Sequence, residues 1–282
     1  MFFMKTISNF KRTKDLLICV DSDGCAMDTM DIKHFNCFGP CMVDEWSLHQ
    51  WGEAILKRWN EINLYTITRG INRFKGLAMA LGEINERYTE IEDIDALLRW
   101  AEEAPELSNN ALETVIAHGG EEIFKKALAW SKAVNLSITA LPDEDKLPFP
   151  LAKEALEFAH RYADVAIVSS ANLGAVLEEW QTHGLIDHVD VIMSQNDGSK
   201  AFCISELLKH GYDKEKTLMC GDAPGDLSAA EKNGVYFYPI LVGKEGDSWQ
   251  EFMDTAMAKL TSGDYSDYGE GKKREFYKNL GE

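Results

Sequence analysis

The chain has 282 residues, 45% of them hydrophobic and 27% charged, with a formal net charge of −18. That composition suits a globular protein of one large or two smaller domains, and so acidic a surface argues against broad binding of nucleic acid or anionic membrane. No stretch reaches transmembrane length, and the amino-terminal MFFMKTISNFKRTKD lacks the apolar run of a secretory leader.

The first predicted element is a buried strand, LLICV at 16–20. It ends abruptly in the acidic segment DSDGCAMDT, which carries Asp21, Asp23 and Asp28. A long stretch then reads almost entirely as helix: Trp51, Ile55, Trp59 and Ile62 recur at helical spacing, as do Ile94, Leu97, Leu98 and Ala101. We expect a separate helical domain at 31–147, entered through a linker that includes NCFGPC (36–41) and left through LPDEDKLPFP (141–150). Its tryptophans at 46, 51, 59, 100 and 130 are expected mostly in the core. Four more apolar runs follow, VAIVSS (165–170), VDVIMS (189–194), TLMCG (217–221) and VYFYPIL (235–241), with helical patterns at 151–162, 173–183, 199–210 and 226–233. This alternation predicts an α/β fold, a doubly wound parallel five-stranded Rossmann-like sheet built from residues 1–30 and 148–282. The last stretch, 261–282, is polar and contains glycine, and reads as a surface-hugging or partly disordered tail.

Six cysteines (19, 25, 37, 41, 203 and 220) are scattered along the chain and suggest reduced, cytoplasmic usage. The spacing of His34, Cys37 and Cys41 hints at metal, but a closed zinc site needs a fourth ligand and none stands out, so linker packing is expected.

In an open α/β sheet, ligands bind beyond the carboxyl ends of the strands. The ends predicted here carry Asp21 and Asp23, then Ser169 and Ser170, then Lys200 after NDGS, then Asp222 and Asp226 in GDAPGD. Four carboxylates brought together would repel unless a hard cation neutralised them, and Mg²⁺ favours a few carboxylates plus substrate phosphate oxygens. A carboxylate can attack phosphorus, and a second can protonate the leaving oxygen and then activate water.

The four motifs, in this order and each at a strand end or helix start, resemble the haloacid dehalogenase superfamily in its phosphatase-type branch. The resemblance covers about 16–30 and 150–243: DSDGCAMDT as the first motif, Ser169 as the second, Lys200 as the third and GDAPGD as the fourth. It implies Asp21 as nucleophile and metal ligand, Asp23 as general acid/base whose carbonyl binds the metal, and Asp222 as a further ligand of Mg²⁺. Asp226 would hold a metal-bound water or orient Lys200, and Ser169 with Lys200 would bind the phosphoryl group. The helical insertion would be a cap. Cys25 stands where the family usually has Thr or Val. Ser170, Asn172, Arg69 and Arg73 are candidate substrate contacts; Arg69 and Arg73, four apart in TRGINRFKG, share a face if that segment is helical. The reading is a Mg²⁺-dependent phosphohydrolase of a small phosphorylated metabolite. The alternatives are a phosphomutase of the same fold and a non-catalytic binding module. The sequence leaves the oligomeric state open.

Overall fold

The computed structural model of the chain describes residues 5–282; the first four residues of the amino-terminal stretch read above for a leader lie outside them. Two compact units emerge, one from Met1–Met30 with Asp143–Glu282, the other from Asp31–Pro142.

The first unit is built on a five-stranded parallel sheet. Its strands are β1 (Leu16–Val20), β2 (Ala163–Val168), β3 (Val191–Met193), β4 (Thr217–Gly221) and β5 (Tyr236–Pro239), in the order β3-β2-β1-β4-β5. β1 lies in the middle, with Leu16 opposite Ala163 of β2 and Leu17 opposite Thr217 of β4. Every residue of β1 to β4 is buried, as expected of parallel strands covered on both faces. Chain order reverses across β1, so the switch point, where such sheets bind ligands, falls at its carboxyl end.

Three strands differ in their limits from the sequence reading. β2 begins at Ala163, two residues early, because Asp164 sits inside it with its charge satisfied. Its carboxylate accepts from Thr13 N (2.8 Å), Thr13 Oγ1 (2.5 Å), Lys14 N (3.0 Å) and Tyr212 Oη (2.5 Å). β2 also ends at Val168, so Ser169 and Ser170 follow it. β3 is shorter than the apolar run around it, and β5 stops at Pro239, which has no N–H to extend the ladder.

The polar tail is a helix, Tyr265–Asn279, and not a loose end. Tyr265, Gly269, Lys272 and Phe276 are its buried residues, four, three and four apart on one face. Tyr265 Oη donates to the Phe237 carbonyl of β5 at 2.9 Å, and Gly269 leaves room for the Tyr265 ring, which a Cβ there would approach to 2.7 Å.

The second unit is helical throughout. Its core centres on the fully buried Trp59 and Trp130, whose ring centroids lie 6.0 Å apart at 74°. Segment 36–41 is not a linker. It runs inside continuous helical backbone: an α-turn at Met30–Lys33, a π-helical stretch at His34–Phe38 and an α-helix at Gly39–Glu45. The wider π turn precedes Pro40, which has no N–H to offer that turn. His34 Nδ1 accepts from Trp59 Nε1 at 3.0 Å, so His34 and Cys37 serve helix packing. Among the described residues no helix is long and apolar enough to cross a membrane.

Candidate active site

The segment after β1 is a tight loop. Asp21 N continues the ladder onto Cys220 O of β4 at 3.0 Å, and Gly24 then turns the chain in the left-handed region (φ 81°). The N–H groups of Cys25, Ala26 and Met27 all converge on the Ser22 carbonyl, at 3.3, 3.0 and 2.9 Å. Ser22 N donates to Asp21 Oδ1 at 2.7 Å, and Thr29 Oγ1 donates to Asp23 Oδ1 at 2.6 Å.

Asp21 meets residues from two other strand ends. Ser199 caps the helix Lys200–Leu208 by accepting from Phe202 N, which puts Lys200 in the first turn. Lys200 Nζ lies 2.5 Å from Asp21 Oδ2 and 2.5 Å from Asp226 Oδ1. Asp226 also takes Ala223 N at 3.1 Å through Oδ2, so it caps the helix Pro224–Asn233 while it holds the lysine. One carboxylate oxygen from each of Asp21, Asp222 and Asp226 falls within 4.8 Å of the others, and all three residues are buried, at 6%, 1% and 0% exposure.

Three carboxylates and one ammonium leave an excess of negative charge. At an effective permittivity of about 20, two unit charges at that spacing repel by roughly 3 kcal/mol. Burial, together with the Asp226 charge and against the pull of Lys200, raises the Asp21 carboxyl to about 7. Burial likewise raises Asp226, opposed by Lys200 and reinforced by Asp222. Burial works against the Lys200 ammonium, but its two carboxylates outweigh it and hold the proton on. A cluster of hard oxygen donors carrying uncompensated charge fits a small divalent cation such as Mg²⁺. The carboxylate of Asp23 is outside this cluster, and its Oδ1 accepts from Thr29 Oγ1.

The other sequence candidates fall as follows. Ser169 is buried just past β2; its N donates to Met193 O and its Oγ accepts from Ala171 N, both at 3.0 Å. Ser170 is exposed, and Asn172 caps the helix Leu173–Thr182 through Gly174 N. Arg69 and Arg73 do not share a helical face: the helix Arg73–Arg87 begins only after Asn72, its N-cap, and Arg69 sits in the turn before it. Arg69 is 3% exposed and donates to Leu64 O at 2.7 Å. Arg73 donates to Ser131 Oγ (3.1 Å) and Asn135 Oδ1 (2.8 Å), with its guanidinium 5.0 Å from the Phe38 ring centroid. Cys25 is fully buried and burial pushes its thiol well up, so it is not a reactive thiol.

Sequence reasoning missed two partners. Thr29 was legible only as part of the Asp28-Thr29 pair, with no sign that its hydroxyl reaches Asp23. Trp180, whose indole N–H donates to Ser22 Oγ at 2.9 Å, gave no signal beyond lying four residues after the buried Val176 on one helix.

A doubly wound α/β unit with a buried lysine and carboxylates at its switch point defines a class of Rossmann-like enzymes acting at the carboxyl edge of the sheet. A family model described as haloacid dehalogenase-like hydrolase matches residues 89–240. The chain belongs to this family of hydrolases. Similar solved structures include a haloacid dehalogenase-like family hydrolase from Streptococcus pneumoniae (14% identity, TM-score 0.45, covering 79% of this chain and 83% of that one). Another is a subfamily IA superfamily hydrolase from Geobacter sulfurreducens (14%, 0.40, 79% and 86%). A third is a protein described as a predicted phosphatase from Clostridium acetobutylicum (11%, 0.43, 80% and 85%). No curated protein matches the chain.

Proposed function

We propose that the protein is a Mg²⁺-dependent phosphohydrolase that removes phosphate from a small phosphorylated metabolite through an aspartyl-phosphate on Asp21. The observation that carries this reading is the placement of Lys200 Nζ 2.5 Å from both Asp21 and Asp226, beside Asp222. Asp21 Oδ2 attacks phosphorus, and the leaving oxygen departs with a proton from Asp23. Asp23, then ionised, takes a proton from the water that attacks the phosphoaspartate, which frees phosphate and restores Asp21. Lys200 and the Ser169 hydroxyl hold phosphoryl oxygens as charge builds on them. Asp21, Asp222, Asp226 and the Asp23 carbonyl would hold the cation, which supplies further neutralisation of the phosphoryl charge when bound. All six cysteines are free and five are buried, which supports a reducing, cytoplasmic setting.

The test is phosphate release from an aryl phosphate and from a panel of small phosphorylated metabolites, with Mg²⁺ and with chelator. Mg²⁺-dependent release is expected, and Asp21→Asn should lower it by about a thousandfold or more, because the nucleophile is gone. No release from any compound, or isomerisation of a sugar phosphate in its place, would overturn the reading.

A further inference from the structure

Ser22 stands between the two carboxylates that do the chemistry in the proposal above, and each of its polar groups is committed. Its N–H meets Asp21 Oδ1, its carbonyl gathers the N–H groups of Cys25, Ala26 and Met27, and its hydroxyl accepts from Trp180 Nε1 at 2.9 Å. Both side chains are fully buried. The loop is pinned a second time by Trp249, another fully buried indole, which donates to Cys25 O at 3.1 Å. Trp180 lies on the helix Leu173–Thr182, which begins four residues after Ser169. A buried indole N–H needs an acceptor, and any main-chain carbonyl in the core would do. This one is spent on the side chain of the residue whose peptide N–H faces Asp21.

We propose that Trp180 is a positioning residue for Asp21: by holding the Ser22 hydroxyl it fixes the peptide that flanks the carboxylate and keeps the 21–27 loop in its attacking geometry. The assignment rests on the phosphohydrolase reading for its effect on rate, but its effect on the loop is independent of it. Misplacement of a reacting group by about 1 Å can cost a hundredfold in rate while substrate binding is barely touched.

The experiment compares Ser22→Ala, Trp180→Phe and the double variant by two measurements. The first is kcat and KM for p-nitrophenyl phosphate with Mg²⁺; the second is amide hydrogen exchange of residues 22–27 against the strand 16–20. Each single variant should lower kcat about tenfold or more with KM within about threefold, and should speed exchange of the Cys25, Ala26 and Met27 amides about tenfold while β1 is unaffected. The double variant should lose no more than the larger single loss, because both remove one interaction. Ser22→Ala carries the test if the smaller ring of Trp180→Phe prevents folding. Unchanged loop exchange overturns the proposal whatever the rates, and so does faster exchange with unchanged kcat in an active enzyme, or losses that multiply in the double variant. If the wild type releases no phosphate at all, the phosphohydrolase reading falls, and loop exchange alone then decides whether Trp180 positions Ser22.

Discussion

A Cβ at Gly221 would lie 2.4 Å from both Cβ and Cγ of Asp226. No side chain makes such a contact, so glycine at the end of β4 is what lets Asp226 reach back over the strand to Lys200. Gly221→Ala should displace Asp226, weaken Mg²⁺ binding and lower kcat about a hundredfold. Isothermal titration with Mg²⁺ and steady-state rates would check this, and wild-type values for both would show that Asp226 has no such role. Thr29, fully buried, offers a finer probe, since its hydroxyl donates to Asp23 at 2.6 Å. Thr29→Val keeps the shape and removes the donor to a carboxylate, a bond worth about 1.5–3 kcal/mol. A kcat lower by about tenfold with KM nearly unchanged is expected from steady-state kinetics. Asp21, Lys200, Asp222 and Asp226 were legible in the sequence because each stands where a hydrophobic run stops or a helix starts, and a parallel sheet gathers such ends on one edge. Thr29–Asp23 and Trp180–Ser22 were not legible, because a hydroxyl or an indole looks the same in sequence whether or not it meets a partner.

At the level of elements, Asp164 shows why a strand limit was misread. A carboxylate in the first turn of a β-run marks solvent by default, but here four donors surround it. Burial works against its ionised form, yet the hydrogen bonds from Thr13 and Tyr212 outweigh burial and hold it below the usual carboxylate range. Its stabilising effect is therefore complete above the unfolded carboxyl's range, near pH 4, and is lost as pH falls through the lower folded value. Asp164→Asn should cost about 2–3 kcal/mol in urea unfolding at pH 7, and the gap to the wild type should narrow under acid. An equal gap at pH 7 and pH 3 would count against this account. The carboxy-terminal helix escaped detection for a related reason: its buried face contains Gly269 and Lys272, and a lysine becomes a core residue only because Glu251 and Glu275 reach it at 2.8 and 2.5 Å. The helical backbone at 36–41 was masked by its Gly-Pro pair, which elsewhere would end a helix.

For the molecule as a whole, 47 carboxylic side chains stand against 29 basic ones, and three of the carboxylates meet at the switch point. Asp21 holds its proton up to about 7, above its unfolded value, so its protonated form favours the fold and that contribution is lost as pH rises through 7. A bound divalent cation needs the ionised carboxylate. Mg²⁺ added in weak buffer should therefore release more protons per ion at pH 6 than at pH 8, and should raise the melting temperature more at pH 8. Potentiometric titration and thermal unfolding would read both effects, and proton release independent of pH would contradict the raised Asp21.

The central position of β1 also sets a timetable for synthesis. The strand is made first, yet its sheet partners begin at Ala163 and Thr217. At 5–20 residues per second, roughly 10–40 s separate β1 from β4 on the ribosome. The helical unit, contiguous in sequence, is complete well before then. β1 thus waits as an unpaired apolar segment while later chain emerges, and pairings so distant along the chain are slow to form. Nascent chains arrested before Gly221 would carry Asp21 without Asp222 or Asp226, so the charge cluster is assembled only late in translation, with β5 alone of the sheet still to follow.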